Sequence, residues 1–382
     1  MDDVARSIVA RLCDAPDDEQ LLGVLADHLL ARGDPRAQVI ALELAGQYEE
    51  ARRLVDAHLA SSLPAQLLSS YAEIRWHRGF LYTLNLSDSR LPPNADERDL
   101  PSALRATLAH PSAALLRELI VSSTPRMRFN EVVAALADEG APCLRQLEIG
   151  SARGRYRMVS SYAELGDLSG MWRAVPRLEQ LCLTGVMGSV QQRETTFGDV
   201  RLPRLRRLRL HSCGLGAENA AALARARWDE LEHLELALGA TADGFGASAD
   251  VLEPLLRAER LPRLRSLGLM SAEQAVTLCE LVAQSDLLPQ LERLSFAAGT
   301  LAGEGARQLL RDARAFAHLR LLDLELNYLD DEQVEALRGL CAHVRLGKQR
   351  QVDPRYVEVY PETQGRSPCP PLRQWHFLEQ SY

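Results

Sequence analysis

The side chains best able to make and break bonds in this chain are its cysteines and histidines, and their spacing serves that end poorly. His211-x-Cys213 and Cys341-x-His343 are isolated pairs, far short of the four ligands of a structural zinc site. The seven cysteines (Cys13, Cys143, Cys182, Cys213, Cys279, Cys341, Cys369) are odd in number and form no CxxC. That scatter suits reduced thiols in a cytoplasm better than a disulfide framework. Cys182 is the sharpest candidate nucleophile, because a cation beside it, Arg209, lowers a thiol pKa. A nucleophile also needs a base within hydrogen-bond reach, and strand geometry puts His211 roughly 8 Å away. Motifs for serine hydrolysis, phosphate loops, HExxH zinc, EF-hand calcium and dinucleotide binding are absent. The expectation is a protein that is not an enzyme and uses no cofactor or metal.

The elements that position these groups are short strands. The phrase Leu-x-x-Leu-x-Leu returns nine times, with an occasional Ile, Val or Phe in place of Leu. It reads Leu81-Leu84-Leu86, Leu116-Leu119-Val121, Leu144-Leu147-Ile149, Leu178-Leu181-Leu183 and Leu205-Leu208-Leu210. It continues as Leu231-Leu234-Leu236, Leu264-Leu267-Leu269, Leu291-Leu294-Phe296 and Leu319-Leu322-Leu324. A single such strand cannot bury its apolar edge, whereas stacked copies bury a continuous core, so the repeat implies a solenoid. Pro142, Pro176, Pro203, Pro262 and Pro289 each stand two residues before a first Leu, where a helix must stop and a strand begin. Ala217–Arg225, Ala272–Ala283 and Glu304–Ala313 carry helical spacing between strands, and Asp330-Asp331 can cap a further helix holding Val334, Leu337 and Leu340. A tenth strand is expected at Val344-Arg345-Leu346.

Two repeats extend the phrase, as Leu205-x-x-Leu208-x-Leu210-x-x-Cys213-x-Leu215 and Leu319-x-x-Leu322-x-Leu324-x-x-Asn327-x-Leu329. On these residues the region resembles the ribonuclease-inhibitor type of leucine-rich repeat. The resemblance implies strand, loop and helix in each unit, with the Asn or Cys turned inward to bond the backbone leaving the strand. Ala272 and Gly299 occupy that position in other repeats, whose turns need another donor. The fold class expected is α/β: a leucine-rich-repeat solenoid, a curved parallel sheet inside and helices outside, with a small all-α module in front.

That module covers residues 1–62. Val4, Ile8 and Leu12 mark a first helix, and Leu22, Leu25 and Leu29 a second, with Asp17 or Asp18 as its cap. A third runs through Val39, Ile40 and Leu42, and a fourth through Ala51, Leu54, Val55 and Leu59. Pro16-Asp17-Asp18, Leu25-Ala26-Asp27-His28-Leu29, Arg32-Gly33-Asp34-Pro35-Arg36-Ala37 and Ile40-Ala41-Leu42 resemble the repeat-companion domain that precedes leucine-rich repeats in bacterial proteins. That family usually has an aromatic residue where His28 stands, and it brings no chemistry with it. The helix face of Asp27 and His28 is expected to dock on the first repeat. Residues 63–347 are expected to form the solenoid, and 348–382, with Trp375, Phe377 and Tyr382, its cap or a tail that docks elsewhere.

A 46% hydrophobic and 25% charged composition is that of a globular protein, and no run is long enough to span a bilayer. With no signal-peptide core at Met1, the expected location is cytoplasmic. A net charge of −8 argues against nucleic acid as the partner and leaves a protein or peptide. Strand alternation places the residues between the leucines on the concave face. There Arg207, Arg209, His211 and His233 make a basic centre, Glu235 and Arg293 lie beside it, and Asp323 and Glu325 make an acidic end. The residue after each first Leu alternates in sign (Arg145, Glu179, Arg206, Glu232, Arg265, Glu292, Arg320), which predicts a ladder of ion pairs. Two over-length repeats should carry loops, at 151–170 with Tyr156 and at 239–249 with Phe245. The function expected is a scaffold that holds a partner on the concave face. The alternative is a regulated effector or enzyme with its site in the N-terminal module or in loop 151–170.

Overall fold

The computed structural model describes residues 1–64, 67, 72–87, 99–122, 129–150, 164–185, 187, 189–190, 193–212, 214–239, 248–352 and 366. The chain forms two compact units, Met1–Gly154 with Gly170–Gln180, and Arg155–Ser169 with Leu181–Tyr382.

The first unit begins with four helices, α1 (Asp3–Leu12), α2 (Glu19–Leu30), α3 (Arg36–Leu44) and α4 (Tyr48–Leu54). Asp2 caps α1 by accepting from the Ala5 N–H at 2.9 Å, and Asp18 caps α2 by accepting from Leu21 at 3.0 Å. Gly33 ends the turn after α2 at φ +67°, a conformation that favours glycine. Leu12, Leu22, Leu25 and Ile40 are fully buried, but Val4 is 54% exposed and does not belong to the apolar face. His28 bonds within the helical module. Its Nε2 lies 3.0 Å from both Asp2 oxygens, while Asp27 is exposed.

Strands β1 (Ala72–His77), β2 (Phe80–Ser87), β3 (Glu118–Ser122) and β4 (Gln146–Ile149) follow in that spatial order. β1 was not expected. It runs antiparallel to β2, so the sheet is mostly rather than wholly parallel. Arg78 and Gly79 turn the hairpin with φ +53° and +75°, the two-residue geometry that matches strand twist. A Cβ at Gly79 would stand 3.2 Å from the Arg36 carbonyl oxygen, so space as well as φ demands glycine. β2, β3 and β4 are parallel, with Leu84 opposite Leu119 and Leu119 opposite Leu147.

The helical module is fastened to these repeats by arginines at the strand entries. Arg117, 5% exposed, donates to the Leu12 carbonyl at 2.9 Å, and Arg145 to that of Cys13 at 3.1 Å. Arg177 forks onto the Asp14 carboxylate at 2.9 and 2.8 Å. Arg117 and Arg145 thus meet carbonyls that the end of α1 leaves without helical partners. Beside them Cys13 and Cys143 form a disulfide, with Cα atoms 4.8 Å apart. The expectation of reduced thiols throughout is therefore corrected for this pair. Sequence spacing could not show it, because the two cysteines stand 130 residues apart. Cys182, Cys279 and Cys341 are not in disulfides, and Cys213 and Cys369 lie outside the described residues.

The second unit holds β5 (Gly166–Asp167), β6 (Gln180–Thr184), β7 (Ser189–Val190), β8 (Arg193–Thr196), β9 (Arg207–His211) and β10 (His233–Gly239). β11 (Ser266–Ala272), β12 (Arg293–Ser295), β13 (Leu321–Asp323) and β14 (Val344–Arg345) complete it. The order β6-β9-β10-β11-β12-β13-β14 is the order of the repeats, and each pair from β9 onward is parallel. The expected tenth strand is β14. Helices Ala217–Arg225, Ala275–Gln284, Gly303–Arg311 and Asp331–Leu337 alternate with the strands. The second starts later than expected because β11 continues to Ala272, paired with Gly239. Asp330 and Gln333 form a reciprocal capping box.

Part of the first over-length insertion is a strand rather than a loop. β5 pairs with β8, and β8 with β7, in a small separate sheet. Asn219 holds that sheet, its amide donating to the Met187 and Thr195 carbonyls at 2.5 and 2.7 Å and accepting from Phe197 at 3.0 Å.

In both units every leucine position of the nine repeats is at most 3% exposed. Asn327 turns inward as expected. It donates to the Phe296 and Leu324 carbonyls at 2.9 and 3.1 Å and accepts from Leu301 at 3.1 Å. Phe296 and Leu301 belong to the preceding repeat, where Gly299 stands at the Asn position. A Cβ there would lie 3.2 Å from the Asn327 side-chain oxygen. Thr300 serves the repeat before in the same way, donating to the Glu273 carbonyl at 2.6 Å. At the far end Arg350 stacks on Tyr328 and donates to the Ala298 carbonyl at 3.1 Å. The expected aromatic cap at 353–382 lies outside the described residues except Arg366.

A disulfide spanning that much chain stabilises by about 2–5 kcal/mol, mainly by restricting the unfolded state. Denaturant unfolding of the wild type should therefore shift to lower midpoint when reductant is added, and Cys13→Ser with Cys143→Ser should unfold at the reduced midpoint and ignore reductant. Equal midpoints with and without reductant would show the bond to be absent or inconsequential.

Candidate functional site

The residues between the leucines share the sheet face opposite them. In the second unit two rows cross the strands in register. One is Arg207, His233, Ser266, Arg293 and Leu321. The other is Arg209, Glu235, Gly268, Ser295, Asp323 and Arg345. The structure thus brings together eight of the ten expected partner-binding residues: Arg207, Arg209, His211, His233, Glu235, Arg293, Asp323 and Glu325. Tyr156 and Phe245 lie outside the described residues, as do Arg153 and Tyr162.

The face is less open than strand alternation alone suggests. Glu235 is 8% exposed and Asp323 4%, where solvated carboxylates were expected. Gly268 is the reason for the first. It has no side chain, and Glu235 leans across it, with its Cγ 3.2 Å from where a Cβ would stand. Ser266 and Ser295 are similarly small and buried. Glu235, Ser266, Met270, Arg293, Ser295 and Asp323 line a shallow pit about as large as one water molecule.

Charge on this face is partly spent internally. The Nε2 of His211 lies 2.5 Å from Glu235. Burial alone would raise the Glu235 carboxyl, but the His211 contact and the nearby Arg209 outweigh it and hold it below its ordinary value. His211 is therefore the Glu235 partner as well as a member of the basic centre. His233 is pushed down, first by burial and then by Arg207, Arg293 and Arg209. Glu232 opposes this. Asp323 moves the other way: burial, with Glu325 and Glu235 nearby, raises it to about 6. Arg345 lies 3.8 Å away, and the Asp323 Oδ1 accepts from the Glu325 N–H at 3.0 Å.

The expected charge ladder is present at Arg145–Glu179 in the first unit, and at Arg206–Glu232 (2.5 Å) and Arg320–Glu292 (3.1 Å) in the second. Arg265 departs from it and donates to the Gln290 carbonyl at 3.1 Å. Arg345, which neighbours Asp323, was missed as a site residue. The tenth strand, already expected there, was the signal that could have found it. Cys182 is partly exposed on β6. Among the described residues no group of His, Cys, Asp and Glu is arranged to hold a metal ion, and no helix is long and apolar enough to cross a membrane.

Fold and face together define a mixed α/β protein with a large, mostly parallel sheet and regularly alternating helices. Its fold is similar to that of a structural-genomics protein from Bacteroides fragilis, at 24% identity over 67% of this chain and 74% of that one, with a TM-score of 0.58. An internalin from Listeria monocytogenes aligns at 13% identity over 77% of this chain and 90% of its own, with a TM-score of 0.33, too distant to argue from. No protein-family model and no curated protein matches the chain.

The raised Asp323 gives a signed prediction. Its folded value lies above the ordinary 3.8, so the native state holds the proton more tightly than the unfolded chain between about pH 4 and 6. Stability falls as pH rises through that window, by about 3 kcal/mol for a shift of this size. Asp323→Asn should then be more stable than wild type at pH 8, with the gain shrinking to nothing by pH 4. Denaturant titrations at the two pH values would refute this if the variant were equally or less stable at pH 8.

Proposed function

We propose that this chain is a leucine-rich-repeat scaffold of the ribonuclease-inhibitor type, which holds a partner protein or peptide on the sheet face opposite its leucines. In this reading residues 1–62 are a repeat-companion module, 63–347 the solenoid and 348–382 its cap, and the chain works by binding rather than by bond making. The observation that carries it is the register of the two polar rows. Side chains from successive strands fall into line on a surface fixed from beneath by buried leucines, and a rigid row of polar groups suits recognition. His211, on the strand next to that of Cys182, is engaged with Glu235.

Site-specific photo-crosslinking tests the reading. A photoreactive residue at Arg207 or Leu321 should yield a discrete protein adduct in the native host lysate, and one at Arg307, exposed on the helix Gly303–Arg311, should not. Adducts confined to Arg307 would move the binding surface to the helices and end the proposal. For bond-making chemistry, Cys182 should alkylate with iodoacetamide at neutral pH no faster than a small-peptide thiol. A rate tenfold higher would reopen the enzyme alternative.

A further inference from the structure

We infer that the partner segment is acidic: an extended peptide strand bearing carboxylates, laid across β9 to β12 over Arg207, Arg209, His233 and Arg293. This rests on the scaffold reading above and deepens it by naming the chemistry of the partner. Arg207 and Arg293 stand in one register row, separated by His233 and Ser266. Three strand spacings set their backbones about 14 Å apart. An extended segment rises about 3.4 Å per residue and turns every second side chain to the same face, so carboxylates four residues apart match that separation.

The electrostatics of the row point the same way. Arg207 is exposed, and no carboxylate among the described residues pairs with it. Its effect reaches His233 together with those of Arg293 and Arg209, and Glu232 opposes them there. Two carboxylates near the row also hold cations outside it. Glu232 takes Arg206 at 2.5 Å, and Glu235 takes His211 at 2.5 Å. A surface that concentrates like charge in a chain of net charge −8 is set against the average of its own molecule. It attracts an anionic segment and repels a cationic one.

The test uses the full chain and fluorescein-labelled twelve-residue peptides of alternating Thr and Glu, Thr and Gln, or Thr and Lys, read by anisotropy at low salt. The Glu peptide should bind at least tenfold more tightly than the Gln peptide, weaken as salt is raised, and leave the Lys peptide without detectable binding. Arg207→Glu with Arg293→Glu should abolish the preference, while Arg207→Lys with Arg293→Lys, which keeps the charge, should retain it. Thermal melts of both variants check that they are folded. Equal affinity for Glu and Gln peptides, or an unchanged preference in a folded Glu variant, overturns the inference. A flat peptide result alongside face-specific crosslinks would remove the acidic partner and leave the scaffold standing. Crosslinks on the helix side would remove the scaffold itself.

Discussion

The structure depends on one constraint: a short strand with leucines on one side is stable only when the next strand sets its leucines in the same register. Strand side chains alternate with period two, so a slip of one residue would turn a buried leucine outward and an arginine inward. Leu208, Leu234, Leu267, Leu294 and Leu322 face one another across the second unit, all at most 3% exposed. The polar rows inherit their alignment from this. Arg207 lies in line with Arg293 because the leucine beside each is locked.

Register alone leaves the turns unsolved, since each strand ends in backbone groups that need partners. The repeats answer by borrowing. Asn327 closes the turn of the repeat before it as well as its own, Thr300 reaches back one repeat earlier, and Arg350 does the same from beyond the last strand. A repeat with glycine at the Asn position is therefore completed by its successor. The backbone tolerates some strain there. Ser271, Ala298 and Leu326, each two residues past the last apolar position of its motif, hold φ between +50° and +61°.

This division explains what the amino-acid order made legible. The strands, the proline-marked entries, Asn327 and the capping box at Asp330 follow from local rules of spacing and side-chain type. β1 escaped because its apolar pattern is thin and only Arg78-Gly79 hints at the turn. β5, β7 and β8 escaped because they are two to four residues long and gain stability from Asn219, a contact distant in sequence. The membership of the polar rows was legible from alternation, but their burial was not. That Glu235 is covered depends on Gly268, one strand away and 33 residues later. Which charges are spent inside the face and which remain for a partner is a property of neighbours across strands.

The link between Cys13 and Cys143 has a mechanical consequence. Tension applied to the two ends of the chain would travel through the sulfur atoms and bypass the 130 residues they enclose. Stretched out, that length would add about 450 Å of contour. With the bond intact it stays hidden from the pull, so α2 to α4 and β1 to β3 would be shielded while the distal repeats peel away.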